Sequence, residues 1–134
     1  MKGAVAATFQ LIYALFLIVV GTVGLFCVRW ELQVLYGLDL AQVGDAASFV
    51  SQYRFLKAVE LAFGVFAFLQ RREILAGGVE CLIFLIGLAA GILARSLAWV
   101  SDGTPNPVFL LFMAFEIVTL LLVWAHTSRD PDQS

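Results

Sequence analysis

Six ionisable side chains fall inside stretches otherwise apolar enough for lipid: Arg54, Lys57, Glu60, Glu80, Arg95 and Glu116. Three are cationic and three anionic. A charge at the centre of a bilayer costs about 2.5–3.5 kcal/mol on insertion scales. Left unpaired, the set would cost on the order of 15–20 kcal/mol, more than a small bundle can spare. Such side chains must pair, take up or release a proton, or reach water. The chemistry they offer is limited. Arginine forks fit an anionic headgroup, a carboxylate or a carbonyl, and buried glutamates balance such cations or carry protons.

Helical spacing groups them. Arg54, Lys57 and Glu60 step by three and share a broad face with Gly64, with Lys57 and Glu60 close enough for an intrahelical pair. In "ECLIFLIGLAAGILAR" one narrow stripe holds Glu80, Gly87, Gly91 and Arg95. Gly87 and Gly91 are spaced to let a neighbouring helix approach closely. Phe109, Phe112, Glu116 and Thr119 line one face of a last apolar segment. Arg54, Lys57, Glu60, Arg95 and Glu116 are the candidate ligand-binding residues, expected to converge in the outer half of a bundle. Glu80 lies toward the other end of its helix and is kept outside that cluster. The competing reading is structural, since charges can hold a small bundle in register without binding anything.

The elements that must position these groups are transmembrane helices. A crossing needs about 20 mostly apolar residues, and four segments reach that length: about 4–28, 46–70, 74–98 and 107–125. Asp45 is placed to cap the second. Pro105 and Pro107 make a turn and open the fourth, with Asp102 and Gly103 in the same connection. The expected fold is all-α, a four-transmembrane-helix bundle with up-down connectivity, one domain over 1–134 and a short polar tail from 126. Its long first outer loop, about 29–45, is half apolar: an amphipathic piece ending before Gly37, or an irregular packed loop.

Basic residues orient the bundle. Lys2, Arg71, Arg72 and Arg129 lie on one side, while the other side has Arg29 and the acids Glu31, Asp39, Asp45 and Asp102. Both termini are expected in the cytoplasm, in a bacterial inner membrane. The apolar run after Lys2 is too long for a secretory h-region and is read as an uncleaved first span.

Composition agrees. Of 134 residues, 62% are apolar and 13% charged, with a mean hydropathy of +0.97. Soluble domains are nearer half apolar and a quarter charged. The bilayer itself is the first partner. A net charge of −2 without a basic cluster excludes nucleic acid. Cys27 and Cys81 lie in apolar segments and are expected to be buried thiols. With His126 the sole histidine, bis-histidine haem, zinc hydrolysis and a Ser-His triad are excluded, and no cofactor, metal site or catalytic set is expected.

"YRFLKAVELAFGVF" followed by "ARSLAWVSDGTPNPVFLLFMAFE" resembles an uncharacterised bacterial four-helix integral membrane family of the domain-of-unknown-function type. The matching positions are Arg54, Arg95, Asp102, Gly103, Pro105 and Glu116. The resemblance implies the architecture and the residues of interest, and it implies no reaction. The leading expectation is a membrane protein that binds a small amphiphilic or anionic ligand, such as a lipid, or a membrane partner. The alternatives are a small oligomeric, proton-coupled transporter and a membrane enzyme using a buried glutamate as acid or base, with homo-oligomers expected for transport.

Overall fold

The computed structural model describes residues 2–128, which form helices with no strand among them. In chain order these are α1 (Lys2–Phe26), α2 (Val28–Tyr36), a 3-10 turn at Leu40–Gln42, α3 (Ala46–Leu69), α4 (Arg71–Ala76), α5 (Val79–Asp102) and α6 (Pro107–Thr127). The all-α expectation holds. Among the described residues, three helices are long and apolar enough to cross a membrane: Gly3–Phe26, Val79–Asp102 and Pro107–Thr127. Helix α3 is as long, with 24 residues, and carries Arg54, Lys57 and Glu60. The expected tail from 126 lies outside the described residues from 129 onward, and α6 runs on to Thr127.

Local chemistry explains the boundaries. Asp45 caps α3, its Oδ1 accepting the Ser48 N–H at 3.0 Å. Asn106 caps α6 through the Val108 N–H at 3.0 Å, with Pro107 in the first turn where no donor is missed. Inside the helices, the Thr22, Thr119 and Ser96 hydroxyls donate to the carbonyl four residues back, so they need no water.

One boundary differs from the sequence reading. The third span, expected over 74–98, begins at Val79 and runs to Asp102. Gly77, at φ 85°, and Gly78 break the chain there, and Arg71–Ala76 forms the separate short helix α4. Glu80 therefore sits in the first turn of α5, where a carboxylate suits the helix dipole. The segment over about 29–45 is largely helical, as the amphipathic alternative expects. It holds the amphipathic α2, closed by Gly37 at φ 65°.

The chain divides into two compact units, one of Met1–Tyr13 with Ala67–Ser134 and the other of Ala14–Phe66. In the first, Phe84, Ile74, Leu88 and Val123 are fully buried. Tyr13 meets Phe84 and Phe115 edge-on at 6.0 and 5.6 Å between centroids. Buried Gln10 donates from Nε2 to the Ala67 carbonyl at 2.7 Å. In the second unit, α1 and α3 touch backbone to backbone. A Cβ on Gly21 would lie 2.7 Å from the Leu61 nitrogen, and one on Gly64 would lie 2.8 Å from Leu17 Cβ. Close approach of this kind is what small residues provide between membrane helices.

Candidate functional site

In the Ala14–Phe66 unit, α2 folds so that Val28, Glu31, Leu32 and Tyr36 are buried. Their spacing of three, four and eight is one helical face, and Glu31 stands in phase with the apolar residues. A fully buried carboxylate needs a partner. Lys57 of α3 supplies it, with Nζ 3.1 Å from Glu31 Oε1 and 2.8 Å from Glu60 Oε2. The Lys57 ammonium also stands 5.5 Å from the centre of the Tyr53 ring. Tyr36 donates its hydroxyl to Glu31 Oε1 at 3.3 Å. Burial pushes the Tyr36 phenol above its ordinary range, against the pull of the Lys57 ammonium and with a further push from Glu31.

This cluster has two carboxylates for one ammonium. Glu31 Oε2 is buried without a close hydrogen-bond donor, and the buried Tyr53 hydroxyl faces Glu31 and Tyr36. Gly24 makes room for the bridge, since a Cβ there would overlap Glu31 Oε2 and the Lys57 stem.

Beside it opens a groove of about 790 Å³, into which Arg29 and Arg54 face from α2 and α3. Phe26, Trp30 and Val50 form apolar parts of its wall. Neither arginine has an ion pair or hydrogen bond among the described residues, and both are exposed. A pocket of about 240 Å³ adjoins it, sharing Arg29, Leu40 and Ala46 and adding Gln33 and Asp39. Cys27, expected to be a buried thiol, is instead exposed on the groove wall, because the chain leaves α1 there to start α2; Cys81 is buried.

The other unit holds its own pair. Arg95 of α5 donates to both oxygens of Glu116 on α6, from Nε at 3.1 Å and from Nη2 at 3.3 Å. The guanidinium also lies 5.9 and 6.0 Å from the Phe109 and Phe112 ring centres. Glu116 rests against Gly91, whose added Cβ would be 3.8 Å from Oε1, an ordinary contact. Gly87 is half-buried on the same helix. Asp102 ends α5, and Gly103 takes φ 100° in the turn that leads to Pro105.

The structure thus joins Lys57 to Glu60 and Arg95 to Glu116, and it turns Arg54 into a groove with Arg29. Sequence reasoning missed Glu31 and Arg29, which it weighed only as loop charges. The signal was present: Glu31 repeats in register with Val28, Leu32 and Tyr36 once α2 is read as a helix. Among the described residues no three His, Cys, Asp or Glu side chains are grouped as a metal ion would need.

Over residues 5–126 the chain matches the family model described as Domain of unknown function (DUF4345). No curated protein and no solved structure matches it.

Proposed function

The chain belongs to the DUF4345 family, whose description assigns no activity, and we propose from its own side chains that it binds a small anionic amphiphile in the membrane. The observation that carries this reading is the groove of about 790 Å³ lined by Arg29 and Arg54. Two guanidinium groups without carboxylate partners, set beside Phe26, Trp30 and Val50, suit a ligand with an anionic head and an apolar body.

On this reading the protein is a four-span bundle of up-down connectivity, with α3 as the fourth crossing. What supports α3 is its outer surface. Phe55, Leu56 and Val59 are 67%, 59% and 50% exposed, whereas Lys57 between them is 5% exposed. Charges turned inward and apolar side chains turned outward are the pattern lipid demands. The basic residues Lys2, Arg71, Arg72 and Arg129 favour cytoplasmic termini in a bacterial inner membrane. Lys57, Glu60, Arg95 and Glu116 then act as paired braces that hold the helices while Arg54 meets the ligand.

The test is mass spectrometry of what remains bound after mild detergent extraction. Arg29→Ala and Arg54→Ala should fold and insert yet lose the co-purifying amphiphile, while exposed Arg72→Ala keeps it. Retention of the same species by both groove variants would overturn the reading.

One observation favours a second reading, proton-coupled transport. The buried Glu31–Lys57–Glu60 cluster carries an excess carboxylate, with Glu31 Oε2 unpartnered. Buried acids of this kind relay protons in transporters. Proteoliposomes whose proton flux vanishes in Glu31→Gln would support it, and a flux unaltered by that change would exclude it.

A further inference from the structure

The groove has two chambers, and their chemistry differs. Arg29, Leu40 and Ala46 line both, so the larger space and the adjoining pocket of about 240 Å³ meet around Arg29. The larger chamber has the second arginine, Arg54, and the apolar wall of Phe26, Trp30 and Val50. The smaller has no further cation, and its polar groups are Gln33 and Asp39.

Asp39 is already half-used. Its Oδ1 accepts the Ala41 N–H at 2.9 Å and caps the 3-10 turn. That bond fixes the carboxylate, and its other oxygen has no hydrogen bond among the described residues. An anion that filled both chambers would meet this carboxylate with like charge. A ligand with an anionic centre at the arginines and a cation beyond it would meet complementary groups in each.

We propose that the occupant is a phosphodiester lipid whose headgroup ends in a primary ammonium. The assignment rests on the amphiphile-binding reading of the same groove and names its ligand class. The phosphate lies between the Arg29 and Arg54 guanidinium groups, the planar forks best matched to its oxygens. The ammonium enters the smaller chamber and donates to Asp39 and the Gln33 amide oxygen. The acyl chains leave along Phe26 and Trp30, which are 73% and 53% exposed at the end of an apolar span. The apolar exit selects a lipid over a free phosphate, and the carboxylate selects an ammonium over a hydroxyl, because hydrogen bonds between ionised groups are roughly twice as strong.

The full chain in detergent is titrated with phosphatidylethanolamine, phosphatidylglycerol, phosphatidic acid and inorganic phosphate. Binding is followed by native mass spectrometry and by protection of Cys27, which is exposed on the groove wall, from a water-soluble maleimide; Cys81 is buried. The ethanolamine lipid should bind about fivefold tighter than the glycerol lipid, and Asp39→Asn should abolish that preference while keeping the capping oxygen. Arg29→Lys and Arg54→Lys keep the charge and lose the fork, and each should weaken every lipid by about tenfold. Equal affinity for the two lipids, or a preference that survives Asp39→Asn, would overturn the ammonium assignment and leave amphiphile binding standing. Protection by inorganic phosphate as strong as by lipid would make the occupant a free anion. Lipid binding indifferent to both arginines would overturn the underlying reading as well.

Discussion

Replacing Lys57 with methionine should be the most damaging volume-conserving change in the Ala14–Phe66 unit. The ammonium lies 3.1 Å from Glu31 and 2.8 Å from Glu60, with side-chain exposures of 6% for Lys57, 0% for Glu31 and 19% for Glu60. At an effective dielectric of about 20, Coulomb's law gives about 5 kcal/mol of attraction at the first distance and about 6 at the second. Desolvation offsets most of that, so the intact cluster adds little net stability over an apolar one. Removing only the cation is a different matter. Methionine fills the space, so the loss is electrostatic, and an uncompensated buried carboxylate costs about 3–5 kcal/mol.

Glu31→Gln is the milder comparison. It keeps a carbonyl oxygen for Tyr36, and Lys57 keeps Glu60, so the expected loss is about 1–2 kcal/mol. The double variant removes the charge that Lys57→Met strands and should regain at least about 1 kcal/mol relative to the sum of the singles. Equilibrium unfolding in micelles, followed by helical circular dichroism, measures all three. A Lys57→Met loss no larger than that of Glu31→Gln, or strict additivity in the double variant, would refute the buried triad.

Four further outcomes are expected. Gly64→Ala should lose about 1–3 kcal/mol, because its Cβ would meet Leu17 and the Ile18 backbone below 3.0 Å. Gly91→Ala, facing Glu116 at 3.8 Å, should be neutral or stabilising by up to about 1 kcal/mol in the same assay. Arg95→Ala should cost more than Glu116→Gln, by about 1–3 kcal/mol, since it takes the guanidinium away from a carboxylate whose side chain is 9% exposed; thermal melts of the two variants check the order. The Tyr36 phenol titrates above its usual 10.0 because it is buried, so the fold keeps a proton that the unfolded chain gives up. Its contribution is complete below pH 10.0 and declines as pH rises past it, a slope that Tyr36→Phe should flatten in alkaline melts.

Much of this was legible before any coordinates. Apolar length alone located α1 and α6 to within a few residues, because satisfying backbone groups in lipid leaves few options besides a helix. Asp45 caps α3 and Pro107 opens α6 where their chemistry places them. The start of α5 was misjudged because the apolar pattern continues through Leu75 and Ala76, while the break is made by Gly77 in a left-handed conformation. Cys27 was misjudged for a related reason, being apolar by neighbourhood yet placed where the chain leaves one helix for another.

The charges divide along the same line. Sequence by itself determined that six ionisable groups in apolar helices need partners, and the step of three between Lys57 and Glu60 named one pair, since intrahelical neighbours follow from the 3.6-residue turn. Only the tertiary structure decided that Lys57 also holds Glu31, that Arg95 takes both oxygens of Glu116, and that Arg54 remains open beside Arg29. Those partners sit on different helices. The meeting of Lys57 with Glu31 depends on how α2 turns back after α1 and on backbone contact at Gly21 and Gly64, and that of Arg95 with Glu116 on how α6 packs against α5, none of which local periodicity encodes.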